Sequence, residues 1–164
     1  MDALALVAEI SVGLAGFAGV AVMLGRGPGR WTAGDAARIQ LLLGAAFGAL
    51  FCSLVPIGLV WTGVPEQPSV QAGAGTLLLA VALWSFSASR IMSRLAPEEH
   101  AVFDPRIARV VRALSFATMG ALVLAASGLA GRASGGLFFL GLFLLLGYAA
   151  FGFVRLLFVR PGSE

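Results

Sequence analysis

The amino-acid sequence predicts an all-α, polytopic integral membrane protein with five transmembrane helices, formed by residues 1–164 as a single helical-bundle domain. Composition is the first indication, because 59% of the residues are hydrophobic and only 12% are charged. A soluble globular domain carries about 25% charged residues. The mean hydropathy of +0.96 agrees with this difference. The lipid bilayer is therefore the expected surrounding of most of the chain.

Five apolar runs are the second indication. Each run has more than the ~18 residues expected of a membrane-spanning helix and, as a helix, would span about 30 Å or more. The runs are apolar on every face, whereas the strands of a transmembrane β-barrel alternate between apolar and polar residues. The predicted helices cover residues 3–24, 38–61, 72–92, 107–130 and 135–158.

Polar, proline-bearing or glycine-rich segments separate these runs. In GRGPGRWTAGD, Gly and Pro end one helix, and Thr32 with Asp35 resembles a capping box for the next. TGVPEQPSVQ carries two prolines, which a helix interior resists, so it is predicted to be a loop. In SRLAPEEHAVFDPR, Asp104 is the expected N-cap and Pro105 the first helical residue. GRASGG is expected to form a tight turn.

The placement of arginine is the third indication, and it predicts the orientation. All eleven basic residues are arginine, and only Arg132 lies outside the first connection, the third connection, the C-terminal tail and their flanks. Because Lys and Arg concentrate in short cytoplasmic loops, the N-terminus is expected outside and the C-terminus in the cytoplasm. An arginine-only basic complement suggests a GC-rich bacterial genome, so a multi-pass protein of the plasma (inner) membrane is expected. This origin of the positive charge gives no reason to expect nucleic-acid binding.

Small residues recur at helical spacing in the first two spans, where Gly13 and Gly16 form one row and Gly44 and Gly48 another. Such rows let helix backbones approach closely in lipid, so both are predicted to face inward and to serve helix packing. The alternative is that glycine is simply abundant, with 22 in the chain. Pro56 is expected to bend the second helix, either as a hinge beside a cavity or without a functional role.

Glu9 is an isolated carboxylate about 9 Å into the first span. It shares a helical stripe with Gly13 and Gly16, so it is expected to face a neighbouring helix. Three roles are open: reaching the headgroups, forming a structural lock with a neighbouring helix or Arg132, or lining an ion or proton path. Hydroxyl groups in the third and fourth spans could join such a path, although they commonly bond the carbonyl one turn back. The candidate intramembrane polar site consists of Glu9, Arg132, Ser85, Ser89 and Thr118.

The third connection holds the only histidine of the chain and a cluster of arginines at its flanks. His100 and the acids Glu98, Glu99 and Asp104 are competent metal ligands, but their spacing matches no metal site, so neither a metal nor a cofactor is expected. The arginines are expected to contact anionic lipid headgroups, and positive-inside topology explains them equally well. They are Arg90, Arg94, Arg106, Arg109 and Arg112.

Catalytic patterns are missing from the sequence. It contains no nucleophile with a partnered base, no phosphate-binding loop and no zinc spacing, so the chain is not expected to be an enzyme. The favoured function is a structural or accessory subunit that packs through its glycine faces into a homo-oligomer or a larger membrane complex. The alternative is a minimal ion or proton channel, or a small-solute transporter, that uses Glu9 and the bend at Pro56.

Overall fold

The computed structural model describes residues 2–25, 33–93 and 105–158. Within these ranges the protein has five α-helices and one short 3-10 turn, Gly131–Ala133, which confirms the all-helical prediction. The helices are α1 Asp2–Gly25, α2 Ala33–Trp61, α3 Glu66–Ser93, α4 Pro105–Ala126 and α5 Ser134–Phe158.

Three stretches among the described residues are helical, long and apolar enough to cross a membrane. They are Ile39–Trp61 in α2, Glu66–Ile91 in α3, and Gly131–Val154, which includes most of α5. In α1 and α4 the apolar stretches are shorter, Leu4–Phe17 and Arg112–Ala126. These lengths and compositions support a membrane protein.

Three helix bounds differ clearly from the sequence prediction. Helix α2 begins at Ala33, not at residue 38. Helix α3 begins at Glu66, not at residue 72, because Pro68 lies in the first turn, where a missing N–H breaks no helical hydrogen bond. Helix α4 ends at Ala126, not at residue 130. Gly128 has a φ of +75°, the left-handed conformation that ends helices. The predicted loop 62–71 therefore shrinks to a turn of four residues, 62–65.

The helix directions follow from pairs of residues in contact. Helices α2 and α3 run antiparallel: the Cβ position of Gly44 lies near Trp84, and that of Gly73 lies near Pro56. Helices α3 and α5 run parallel, since Gly73 also faces Phe138 and Gly141 faces Leu77. The α2–α3 turn and the α4–α5 turn consequently lie at the same end of the bundle.

Helix α5 contacts all four other helices. It forms a three-helix centre with α2 and α3, while α1 packs against α2 and α5, and α4 packs against α3 and α5. The centre contains fully buried alanines among its leucines, and such small side chains allow helix backbones to approach closely and gain dispersion energy in lipid. The fully buried alanines of these three helices are Ala45, Ala46, Ala49, Ala74 and Ala149.

Candidate functional site

Glu9 lies on the outer side of α1. The inner side of this helix is formed by Leu4, Val7 and Ser11, which are all buried, whereas the Glu9 side chain is exposed. Two residues along a helix correspond to a rotation of about 200°, so burial of Val7 directs Glu9 away from the bundle. Glu9 therefore faces no helix within the described chain, and its expected contact with a neighbouring helix stays a prediction.

The glycine row of α1 shares this outer position. A Cβ atom placed at Gly13 or Gly16 would have no neighbouring heavy atom within 4 Å, and Gly16 is exposed. This corrects the expectation that the row faces the inside of the bundle. Sequence reasoning chose the wrong face because α1 is apolar all around, and in lipid hydrophobicity does not distinguish the inward side from the outward side.

The row on α2 does lie at helix contacts. The Cβ position of Gly44 is 3.2 Å from Cδ1 of Trp84 on α3, and that of Gly48 is 3.5 Å from Cδ2 of Leu145 on α5. Both glycines therefore permit the close approach of α2 to the other two central helices.

Arg132 is exposed in the 3-10 turn before α5. Among the described residues, neither Glu9 nor Arg132 forms a salt bridge or a hydrogen bond through its side chain. The predicted structural lock between these two residues is therefore not formed within the described chain.

The candidate hydroxyl groups are engaged locally or lie at the surface. Thr118 is buried and donates to the carbonyl oxygen of Leu114 at 2.8 Å. Ser89 is exposed and donates to the carbonyl oxygen of Ser85 at 3.0 Å. Both bonds are of the one-turn-back type that satisfies hydroxyl groups in apolar helices. Glu9 on α1 and these residues on α3 and α4 do not form one polar site.

Pro56 fills space between helices. Its side chain is buried, and its Cδ and Cγ atoms lie 3.1 and 3.2 Å from the Cβ position of Gly73 on α3. Cζ of Phe138 on α5 lies 3.1 Å from the same position. Pro56 is therefore packed tightly at the centre of the bundle.

Trp84 makes a polar contact between helices that the sequence patterns did not reveal. Its indole N–H donates to the main-chain carbonyl oxygen of Leu41 on α2 at 3.1 Å. Its ring meets Tyr148 on α5 edge to face, with centroids 4.7 Å apart and an interplanar angle of 81°. Trp84 thus joins all three central helices. A sequence signal existed, namely a lone tryptophan in an apolar span and a glycine row in the preceding one.

One buried hydroxyl group has no partner. Oγ of Ser134, in the first turn of α5, is buried and makes no hydrogen bond to any described residue. Since Phe138 faces Gly73 and α3 and α5 are parallel, Ser134 lies level with buried Ser69. Ser69 donates to the carbonyl oxygen of Pro65 at 2.8 Å. These two buried hydroxyl groups therefore lie at the end of the bundle that carries the α2–α3 and α4–α5 turns.

Several arginines lie toward the end of the bundle opposite the α2–α3 and α4–α5 turns. The guanidinium carbon of Arg90 lies 4.4 Å from the ring centroid of Phe86, and Arg90, Arg109 and Arg112 are exposed. Arg94 lies outside the described residues, as does the side chain of Arg106.

Metal ligands do not gather in the described part of the chain, where no group of three or more His, Cys, Asp or Glu side chains occurs. The residues considered as ligands from the sequence, Glu98, Glu99, His100 and Asp104, lie outside the described residues.

Comparison of the chain with protein-family models, curated proteins and solved structures finds no match.

Proposed function

We propose that this protein is a small structural or accessory subunit of a bacterial inner membrane, and that it assembles with copies of itself through the outer face of α1. We define this face, the α1 outer face, by Glu9, Gly13 and Gly16. The observation that carries the proposal is the contrast between the two glycine rows. Cβ positions in the row on α2 lie against side chains of α3 and α5, whereas Cβ positions at Gly13 and Gly16 have no described heavy atom within 4 Å.

The chemistry of the α1 outer face supports a protein partner over lipid. A carboxylate facing hydrocarbon costs about 2.5–3.5 kcal/mol at the membrane centre and less nearer the surface. A second helix lowers this cost when it supplies a hydrogen-bond partner, and glycines let the two backbones approach. The exposed Ile10, Val12 and Phe17 beside the row add apolar contact area. A homo-oligomer satisfies these requirements with one self-complementary surface.

Substitution of Gly16 tests this assembly. Gly16→Leu is expected to dissociate the oligomer, because a bulky side chain separates backbones that need close contact. Gly120→Leu is the matched control, since Gly120 on α4 is also exposed and has no heavy atom within 4 Å of its Cβ position. Native mass spectrometry of both variants in mild detergent measures the oligomeric state. A monomeric wild type, or an oligomer that survives Gly16→Leu, would contradict the proposal.

Glu9 distinguishes the structural role from the alternative of a channel at the oligomer axis. If Glu9 is a packed contact, Glu9→Gln retains the oligomer because the amide keeps the size and the hydrogen bonding, whereas Glu9→Leu weakens it by roughly 1–3 kcal/mol. A conduction path needs a group that changes charge. A proteoliposome flux that the wild type supports and Glu9→Gln abolishes would favour the channel.

The membrane topology completes the proposal, with five spans, the N-terminus outside and the C-terminus in the cytoplasm. It is supported by the arginine asymmetry and by the position of the α2–α3 and α4–α5 turns at one end of the bundle.

Reporter fusions test this topology. Fusions after Glu66 and Ser134 are expected to report an external location, because only Arg132 accompanies these turns. Fusions after Arg30, His100 and the C-terminus are expected to report the cytoplasm. A C-terminus found outside would show that one of the five helices does not cross the membrane.

A further inference from the structure

Exposed arginines on α3 and α4 lie at the same level of the bundle. The level is given by Gly141 on α5, whose Cβ position is 3.2 Å from Leu77 on α3 and 3.0 Å from Leu122 on α4. Arg90 follows Leu77 by thirteen residues on α3, and Arg109 precedes Leu122 by thirteen residues on α4. Because α3 and α4 are antiparallel, both arginines lie about 20 Å from the Gly141 level in the same direction. Arg112 is also exposed, about one turn from Arg109 on α4 and about 15 Å from the Gly141 level.

Arg90 is positioned by an aromatic ring on its own helix. Its guanidinium carbon lies 4.4 Å from the centroid of Phe86, a cation–π distance. Phe86 is 57% exposed on the outside of the bundle. An exposed phenylalanine ring is favourably placed among acyl chains, and a guanidinium group is favourably placed in the polar headgroup region. The pair therefore lies at the boundary between acyl chains and headgroups.

The described acidic side chains do not neutralise this positive charge. Glu66 lies at the opposite end of α3, about 36 Å away along the helix. Glu9 lies on α1, which packs against α2 and α5. Across residues 90–112 the sequence contains five arginines and three acids, so the segment carries net positive charge. None of the three exposed guanidinium groups forms an ion pair with a described side chain, so all three are available to an anion.

The anion that fits this place is a phosphate of the membrane itself. Guanidinium groups donate paired hydrogen bonds to phosphate oxygens, and basic residues beside membrane helices attract anionic lipids. We propose that Arg90, Arg109 and Arg112 form a binding site for anionic phospholipid headgroups, with the acyl chains lying against Phe86. This inference is independent of the proposed assembly, because the α1 outer face and the arginine site lie on different helices.

The test uses the full-length protein, delipidated in a neutral detergent so that topology plays no part. Phosphatidylglycerol is titrated into the wild type, and bound lipid is counted by native mass spectrometry, with phosphatidylcholine in a parallel titration. The wild type is expected to bind phosphatidylglycerol more tightly. Each single variant, Arg90→Gln, Arg109→Gln or Arg112→Gln, is expected to weaken binding about fivefold, the factor equal to about 1 kcal/mol per charge.

Arg132→Gln is the matched control, because Arg132 is exposed at the opposite end of the bundle. It is expected to bind phosphatidylglycerol like the wild type. Phe86→Leu keeps every charge and is expected to weaken binding about two- to fivefold through the lost cation–π contact. Circular dichroism confirms that each variant is folded.

Three results would overturn the proposal. The first is equal binding of phosphatidylglycerol and phosphatidylcholine by the wild type. The second is an equal loss of binding in Arg132→Gln and in the site variants, which would show a general charge effect. The third is competition by inorganic phosphate at the same concentration as the lipid, which would show a site for a free anion.

Discussion

Gly73→Leu is expected to destabilise the protein by about 3 kcal/mol, the upper part of the usual range for overpacking a core. Even a single Cβ atom at residue 73 would lie 3.1 Å from both Phe138 and Pro56. The proline ring cannot rotate away, because it is part of the α2 backbone, so three helices would have to separate. The midpoint and free energy of unfolding in mixed micelles with sodium dodecyl sulfate, followed by circular dichroism, measure the effect.

Gly75→Leu is the control for this prediction. It lies on the same helix, and its Cβ position has no heavy atom within 4 Å. Both substitutions gain the same helix propensity relative to glycine, so the difference between them isolates the packing term. We expect Gly75→Leu to be as stable as the wild type or up to about 1 kcal/mol more stable, the size of the helix-propensity gain. Similar stability of the two variants would show that α2, α3 and α5 do not meet at Gly73.

The helices of this protein could be predicted from its sequence because length and hydropathy determine them locally. Long runs of mostly apolar residues predicted five helices, and Pro105 correctly marked the start of α4. A predicted helix bound was wrong where the same residue type is common both in loops and in the first turn of a helix. Pro68 indicated a loop, although proline is also favoured in the first turn of a helix.

Helix orientation within the bundle could not be predicted in the same way. A soluble helix reveals its inward face by the contrast between apolar and polar residues, but α1 and α5 are apolar on nearly every side. The glycine rows were therefore the only available guide. The row on α2 lies at contacts with α3 and α5, and the row on α1 lies outside. The two glycine rows have similar spacing, yet the row on α2 serves packing within the chain and the row on α1 lies on the surface.

The sequence singles out Trp84 but does not identify the acceptor of its hydrogen bond, the carbonyl oxygen of Leu41, for a different reason. A carbonyl in the middle of a helix already accepts the N–H four residues later, so pattern rules treat it as satisfied. Its second lone pair remains available to a donor on another helix. Gly44 lies close to the indole ring, 3.2 Å from its Cβ position, and so leaves room for Trp84 to reach the backbone of α2.

Trp84→Ala is expected to lower the free energy of unfolding by about 3 kcal/mol. It leaves a cavity at the junction of α2, α3 and α5 and removes both the bond to Leu41 and the edge-to-face contact with Tyr148. The value lies at the lower end of the range for removing a buried aromatic side chain, because Trp84 is half-buried and the unfolded chain in a micelle is also in apolar surroundings. The same unfolding titration measures it.

Two further substitutions separate the contributions at Trp84. Trp84→Phe keeps most of the ring but loses the indole N–H, and is expected to cost about 0.6 kcal/mol, the typical value for a hydrogen bond between membrane helices. Trp61→Ala removes a tryptophan that is 87% exposed at the end of α2, and is expected to leave stability within about 0.5 kcal/mol of the wild type. If Trp61→Ala costs as much as Trp84→Ala, the loss comes from anchoring in the lipid interface. If only Trp84→Ala is destabilising, the three central helices are held together at this residue. The α1 outer face and the arginines on α3 and α4 then depend on Trp84 for the stability of the bundle that carries them.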